Sequence, residues 1–291
     1  RAKRGESLSA IDGLCFGIKA NIAVSGLPHH AGIAAYRDVI AASNAEIVQR
    51  LRAAGAVILG TLNMHEGALG ATTDNEAFGR THNPWRHGFT PGGSSGGSGA
   101  AVSAALCDVA LGSDTMGSVR IPSAYCGVQG HKPTTGLVSN DGVLTLSHTL
   151  DHVGPHARSV NRLAATLGAL SGKEVALERV DLSALRFGLW DSAGQVDLHA
   201  DVAIGFSAAI DVVRSSGSVI APFNPPVYDY GKSRRAGLLV SEVEGAAIHK
   251  ARPTLANTAE LLFDKGNQLV IDRIPVGSLT CGVHCIGVVV V

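Results

Sequence analysis

The chain has 291 residues, 45% of them hydrophobic, and its 24 basic and 24 acidic side chains cancel. This length and composition can bury a sizeable core, which excludes an intrinsically disordered protein. The lack of net charge and of any run of Lys and Arg gives no sign of direct nucleic-acid binding. No apolar run approaches the roughly 20 residues of a membrane span and the N-terminus lacks a signal-peptide core, so we expect no membrane association and a cytoplasmic location.

Predicted strands and helices alternate along the chain. The elements, in chain order, are a strand over 14–18, a helix over 44–55, a strand over 56–59, a helix over 97–107, a strand over 108–111, a helix over 201–215, a strand over 218–220 and a helix over 240–251. Asn44 is the expected N-cap of the first helix and Gly55 its C-terminal stop. The proline-containing stretch 221–230 is predicted to be a surface loop or a subdomain junction. Short strands separated by helices predict a layered α/β fold with a largely buried sheet.

The cysteines are odd in number, and their spacing forms no disulfide framework. Cys281, His284 and Cys285 lie close in the sequence, but a C-x3-C pair with one histidine is a weak zinc pattern. A buried strand with incidental thiols is the favoured interpretation. Neither a metal nor a cofactor is therefore expected.

The stretch from residue 90 to residue 134 holds two glycine-embedded serine sites, at Ser94–Ser95 and at Ser118. An apolar run separates them, which is untypical of an inert linker. Glycines beside a serine let backbone N–H groups approach a bound oxygen closely. Nucleophilic acyl transfer needs this arrangement of a hydroxyl beside ready N–H donors.

Ser118 is the better candidate nucleophile of the two sites. Residues 92–96 match the G-x-S-x-G nucleophile elbow, but that elbow needs a strand directly before it and residues 80–91 do not form one. Ser118 instead follows the predicted strand 108–111 and a turn, which places a hydroxyl at the carboxyl end of a sheet. A phosphate-binding role for Ser118 is an alternative, but no Gly-Lys-Ser/Thr sequence follows it.

Two kinds of base are available to such a serine. Lys19 lies in FGIKANIAV with almost no charged neighbour, so burial is predicted to lower its pKa and leave it neutral near pH 7. A surface position on the strand is the alternative for Lys19. A histidine among His148, His152 and His156, with Asp151, is the alternative base of a Ser-His-Asp triad.

Three motifs resemble the amidase signature family of serine hydrolases. They are Gly17-Ile18-Lys19, GGSSGGS at 92–98 and GSDTMGSVRIPSAYCGVQGHKPT at 112–134, within a similarity that runs from about residue 14 to residue 160. The resemblance implies a layered α/β/α fold, with a central, mostly buried mixed sheet flanked by helices. It also implies that residues 1–291 form a single amidase-signature domain, shortened at the N-terminus and in the C-terminal third.

The resemblance further implies roles for individual residues. Ser118 corresponds to the nucleophile, Ser94 to the bridging serine and Lys19 to the base. The implied oxyanion hole consists of backbone N–H groups, those of Thr115, Met116, Gly117 and Ser118. The implied supporting residues are Gly93, which precedes a cis peptide bond, together with Ser95, Asp114 and Arg120.

The implied activity is hydrolysis of a carboxamide or related C–N bond in a small amide, without a cofactor. A homodimer or a small accessory subunit is the implied partner. The alternative is a catalytically impaired amidase-like scaffold, or a subunit of an amidotransferase or urea-derivative hydrolase complex. Two residues depart from the family pattern: Ala20 stands where aspartate is usual, and Met116 where glycine is usual.

Overall fold

The computed structural model describes residues 6–190, 198–223, 229–250 and 289–290. The chain divides into two compact units. The first comprises Arg1–Leu177 with Leu239–Leu262, and the second comprises Glu178–Leu238 with Phe263–Val291. Every candidate site residue lies in the first unit. The expectation of one domain over residues 1–291 stays a prediction.

Strands and helices are interleaved along the chain. The described strands are β1 (Cys15–Lys19), β2 (Val57–Leu62), β3 (Asp74–Asn75), β4 (Gly79–Arg80), β5 (Val109–Asp114), β6 (Gln129–Gly130), β7 (His152–Ala157), β8 (Arg186–Leu189), β9 (Val219–Pro222) and β10 (Val289–Val290). The described α-helices are α1 (Glu46–Ala53), α2 (Gly96–Ser103), α3 (Arg120–Cys126), α4 (Val160–Ser171), α5 (Ala200–Ser215) and α6 (Tyr230–Lys250). None of these helices is long and apolar enough to cross a membrane.

A five-stranded mixed sheet forms the centre of the first unit. Its strand order is β2-β1-β5-β7-β6. Strand β1 runs parallel to both β2 and β5, whereas β7 runs antiparallel to β5 and β6. The carboxyl ends of β1 and β5 therefore meet at one edge of the sheet, where polar side chains from both strands lie close together.

Helices cover both faces of this sheet. On one face, Phe16 of β1 belongs to the same apolar cluster as Leu51 of α1 and Leu170 of α4. On the other, Ala110 of β5 packs with Val102 of α2. Alternate residues of a strand point to opposite faces, so the two clusters form two separate cores. This arrangement confirms the predicted α/β/α layering around a mixed sheet.

The second unit is built around a smaller sheet. Its strand order is β10-β8-β9, with β8 parallel to β9 and antiparallel to β10. The helix α5 and the strand β9 lie where the sequence predicts them. Strand β9 extends to Pro222 and α6 begins at Tyr230, so regular structure enters the predicted loop 221–230 from both sides.

Several predicted boundaries are wrong. Asn44 does not cap α1: its Oδ1 accepts a hydrogen bond from the Ser25 N–H at 2.9 Å, and the helix begins after Ala45 without a side-chain cap. Helix α2 ends at Ser103 instead of 107, because the chain turns at Ala105 with φ +57°. Gly55 does end α1, with φ +92°. The predicted strand over 108–111 continues as β5 to residue 114.

Candidate active site

Lys19 occupies the carboxyl end of β1 and is fully buried. Its Nζ lies 2.7 Å from Ser94 Oγ and 2.9 Å from Ser113 Oγ. Burial lowers the pKa of Lys19 from 10.5 to about 7, although the charges of Asp151 and Asp114 act in the opposite direction. The predicted buried amine, with its lowered pKa, therefore lies in direct contact with one of the two candidate serines.

The segment that carries Ser94 is fixed on both sides. The Gly93–Ser94 peptide is cis, as the resemblance implies. A Cβ on Gly93 would lie 2.7 Å from the Thr72 backbone nitrogen, so only glycine fits there. Ser95 Oγ donates to the Ser113 carbonyl at 3.1 Å and accepts from the Ser113 N–H at 3.2 Å, which ties the segment to β5. The hydroxyl of Ser94 is thereby held against Lys19.

Asp114, the last residue of β5, organises the loop that carries Ser118. Its buried carboxylate accepts hydrogen bonds from the Gly117 N–H at 2.7 Å and the Val119 N–H at 3.1 Å. It also receives the Arg120 guanidinium, through Nε at 3.0 Å and Nη2 at 2.8 Å. Burial acts to raise the pKa of Asp114, but these donors outweigh it and lower that pKa. Asp114 is thus an ionised carboxylate whose hydrogen bonds fix the conformation of the loop.

The expected oxyanion donors differ in whether their N–H groups are already hydrogen-bonded. The Gly117 N–H points to Asp114 and is already hydrogen-bonded there. Among the residues that the structure describes, the N–H groups of Thr115, Met116 and Ser118 have no hydrogen-bond partner. Ser118 is 9% exposed, while Met116 is 37% exposed. The loop therefore presents a hydroxyl and three unengaged backbone donors.

Two further buried polar residues, Ser113 and Asn21, belong to this site and were not predicted from the sequence. Ser113 Oγ accepts a hydrogen bond from Lys19 Nζ at 2.9 Å. Asn21 Nδ2 donates to Ser113 Oγ at 3.1 Å and to the Leu144 carbonyl at 3.2 Å. Both are almost completely buried. A polar residue at each strand end, in an otherwise apolar run, is the sequence signal that marks them.

The alternative Ser-His-Asp triad is not assembled. The three histidines bind other partners, namely Glu244 for His148, Thr135 for His152 and Ser123 for His156. Burial lowers the pKa of His156 to about 3. The carboxylate of Asp151 accepts from the hydroxyl of Thr115 and not from an imidazole. Cys281, His284 and Cys285, which formed the weak zinc pattern, lie outside the described residues.

Comparison with known proteins agrees with this geometry. The family profile described as Amidase matches residues 1–267. The chain belongs to the amidase family. A glutamyl-tRNA(Gln) amidotransferase subunit from Lachnoclostridium phytofermentans is 40% identical over 236 residues, which are 76% of this chain and 48% of that protein.

Solved structures of the amidase family share the fold. A crystal structure of an amidase is 30% identical with a TM-score of 0.78, and the match covers 93% of this chain and 63% of that one. Native peptide amidase from Stenotrophomonas maltophilia is 31% identical with a TM-score of 0.71, covering 84% of this chain and 54% of that one. The chain spans about half the length of the curated relatives it matches.

The two departures from the amidase family pattern have different surroundings. Ala20 is 1% exposed and belongs to an apolar cluster with Ile33, Met64 and Leu146, a site that suits a methyl group better than a carboxylate. Met116 stands on the loop beside Ser118, where its backbone N–H is unengaged and its side chain faces outward. The first change affects packing beside Lys19, and the second affects the loop surface.

Proposed function

We propose that this chain carries the catalytic core of an amidase that hydrolyses a carboxamide or a related C–N bond through an acyl-enzyme on Ser118. The observation that carries the proposal is the buried amine of Lys19, with a pKa of about 7, in hydrogen-bond contact with Ser94 Oγ at 2.7 Å. An amine of this kind is a general base near neutral pH. The family membership and the amidase structural relatives support the same activity.

In the acylation step, Ser118 Oγ attacks the amide carbonyl carbon. Its proton passes to Ser94 Oγ, whose own proton passes to the neutral Nζ of Lys19. The developing oxyanion is held by the backbone N–H groups of Thr115, Met116 and Ser118, while that of Gly117 stays with Asp114. The proton on Lys19 returns through Ser94 to the leaving nitrogen as the C–N bond breaks.

In the second step, water hydrolyses the ester on Ser118 through the same relay. Water passes a proton to Ser94 Oγ, whose own proton passes to Lys19 Nζ, and the resulting hydroxide attacks the acyl carbon. The proton then returns through Ser94 to Ser118 Oγ as the ester bond breaks and the carboxylic acid leaves. Ser95, Asp114 and Arg120 contribute by holding the two serine segments in place. Pre-organised donors of this kind need no rearrangement during the reaction.

A second function is favoured by one specific observation. The 40% identical relative is named as part of a glutamyl-tRNA(Gln) amidotransferase. The same site would then release ammonia from an amide for a partner protein instead of discarding it. A small amide substrate is common to both functions. The homodimer or accessory subunit, and the cytoplasmic location, stay predictions.

Ammonia release from a panel of small carboxamides, including glutamine, tests the proposal. The folded protein is expected to release ammonia from at least one member, and Ser118→Ala to release none. Ser25→Ala, which changes an exposed serine outside the site, is the control and should keep full activity. Release confined to glutamine would favour the amidotransferase function. A folded protein that acts on no amide in the panel would favour a catalytically impaired scaffold.

A further inference from the structure

The buried carboxylate of Asp151 has no part in the relay described above. It lies in the turn directly before β7 and is 6% exposed. Its Oδ1 accepts a hydrogen bond from Thr115 Oγ1 at 2.5 Å, and its Oδ2 accepts from the Leu146 N–H at 2.7 Å. One of its two oxygens is therefore bound to the loop that carries Ser118.

We propose that Asp151 is a positioning residue of the amidase reaction, which fixes the oxyanion loop through the Thr115 hydroxyl and keeps a negative charge near the Lys19–Ser94 pair. The inference rests on the proposed amidase activity. Asp151 touches no reacting atom in this scheme. It acts through Thr115 on the backbone donors and through space on the amine.

The sheet register brings Asp151 and Thr115 together. Strands β5 and β7 pair antiparallel, and the last pair in the register is Asp114 with His152. The next residues outward along the two chains are Thr115 and Asp151, so the Thr115–Asp151 hydrogen bond continues the ladder by one side-chain step. Thr115 is also the first of the three unengaged backbone donors. Any rotation of Thr115 would move its N–H away from the oxyanion, and this hydrogen bond opposes that rotation.

The turn that carries Asp151 is itself braced by α6. Glu244 accepts hydrogen bonds from the hydroxyls of Ser147 at 2.5 Å and Thr149 at 2.8 Å. It also accepts from the Thr149 N–H at 3.2 Å. The Asp151 N–H closes the turn by donating to the Ser147 carbonyl at 3.0 Å. Asp151 therefore projects from a turn that is tied down independently of the catalytic loop.

The two carboxylates near Lys19, those of Asp151 and Asp114, differ in the charge of their hydrogen-bond partners. The charges of Asp151 and Asp114 raise the pKa of Lys19. The charge of Lys19 in turn lowers the pKa of His65 and His156. Burial lowers the pKa of both histidines, that of His156 to about 3. Asp114 is ion-paired with Arg120 at 2.8 Å. Burial raises the pKa of Asp151, whereas the hydrogen bonds from Thr115, Leu146 and Ser147 and the charge of Lys19 lower it. In the described contacts the hydrogen-bond partners of Asp151 are neutral, unlike those of Asp114.

Three variants separate the charge from the hydrogen bond. Asp151→Asn removes the charge and still offers a hydrogen-bonding group to both Thr115 and Leu146. Thr115→Val keeps the charge and a β-branched shape but removes the hydroxyl. Thr115→Ser restores the hydroxyl and serves as the matched control. The measurements are the fluorophosphonate labelling rate and kcat/KM for the best amide of the panel between pH 5 and pH 9, with circular dichroism to confirm folding.

Thr115→Val is expected to lower the labelling rate and kcat/KM roughly 10- to 100-fold, as misplacement of catalytic groups does, whereas Thr115→Ser keeps most activity. Asp151→Asn is expected to move the acidic limb of the pH profile to lower pH, because loss of a nearby negative charge lowers the pKa of Lys19. An unchanged rate in Thr115→Val, or an unmoved acidic limb in a folded Asp151→Asn, would overturn the inference. Failure of the wild-type protein to label would instead contradict the proposed function.

Discussion

Lys19 is placed where an ammonium group is disfavoured and a neutral amine is supported. Its surroundings are apolar on the β1 side, and the polar contacts at its Nζ are neutral groups, namely the hydroxyls of Ser94 and Ser113 and the Ser113 carbonyl. Asn21 holds Ser113 in turn, so the Ser113 hydroxyl is oriented by a fixed amide donor. The amine can donate one hydrogen bond to Ser113 and direct its lone pair to Ser94. This is the geometry that a proton acceptor for Ser94 needs.

The protonation of Lys19 sets the expected pH dependence of activity. Below its pKa of about 7 the amine is charged and cannot accept a proton, so kcat/KM should rise with pH through about 7 and reach a plateau on the alkaline side. Lys19→Arg should lose at least about 10²-fold activity at every pH, because guanidinium stays protonated. A pH–rate profile of both proteins checks this. Substantial activity in Lys19→Arg would exclude Lys19 as the base.

At the scale of elements, the approach of α2 to the sheet depends on glycine. Gly97 lies in the first turn of α2, and its N–H donates to the Asn63 carbonyl at 3.1 Å. A Cβ at this position would overlap that carbonyl oxygen and lie 2.8 Å from the Asn63 nitrogen. Both are backbone atoms, which cannot rotate away. The close approach places the N-terminal residues of α2, and the serines before it, directly beside the sheet.

Gly97→Ala should therefore destabilise the protein by about 1–3 kcal/mol, the usual penalty for an overpacked site. It should also slow labelling of Ser118, because the Ser94 segment must shift with the helix. The matched control is Gly205→Ala in α5, where a Cβ would meet nothing within 4 Å. That change should be neutral or stabilising by up to about 1 kcal/mol. Chemical denaturation monitored by circular dichroism measures both, and equal effects would contradict this account.

Periodicity predicts the apolar elements and misses the others. The strands β1, β2 and β5 follow from short apolar runs between turn residues. Strand β7 does not, because it carries Gly154 and Pro155 and lies between two strands of the sheet. Helix α3 has Pro122 in its first turn and follows a glycine-rich loop, so it also escapes the pattern. Tertiary pairing, and not local propensity, determines these elements.

The same limit applies to the site. Motif resemblance implies Lys19, Ser94 and Ser118, and the structure brings Lys19 and Ser94 into contact. The partnership of Thr115 with Asp151 depends on the register between β5 and β7, strands that lie far apart in the sequence. The engagement of Gly117 by Asp114 depends on how the loop folds back over the carboxylate. Such contacts require the pairing of strands to be known.

At the scale of the whole molecule, buried groups with shifted pKa values make stability depend on pH. Burial lowers the pKa of His156 from 6.5 to about 3 and that of Lys19 from 10.5 to about 7. Between the two pKa values of each group, the unfolded chain binds a proton that the folded protein does not. The free energy of unfolding therefore increases as pH rises through that range. Burial raises the pKa of Cys107 from 9.0 to about 11 and that of Cys126 to about 12. Above pH 9.0 the unfolded chain releases the protons of these thiols while the folded protein keeps them. The free energy of unfolding therefore decreases as pH rises above 9.0.

The free energy of unfolding should therefore increase from about pH 3 to pH 6.5, increase again from about pH 7 to pH 9, and decline at higher pH. Each single-proton interval contributes up to about 1.4 kcal/mol per pH unit. Lys19→Met should remove the increase between pH 7 and pH 9 and stabilise the protein at neutral pH. Urea denaturation at a series of pH values provides the comparison. An unchanged slope in Lys19→Met would show that Lys19 is not buried as a neutral amine.

Mass-spectrometric mapping of the covalent adduct formed with a fluorophosphonate or a slowly hydrolysed amide tests most directly whether Ser118 is the nucleophile. We expect an adduct on Ser118, none in Ser118→Ala, and slow formation on Ser118 in Ser94→Ala. Lys19→Met should slow labelling in the same way, because it interrupts the same proton relay. An adduct on Ser94, or a folded protein that forms no adduct at all, would contradict the assignment of Ser118 as the nucleophile.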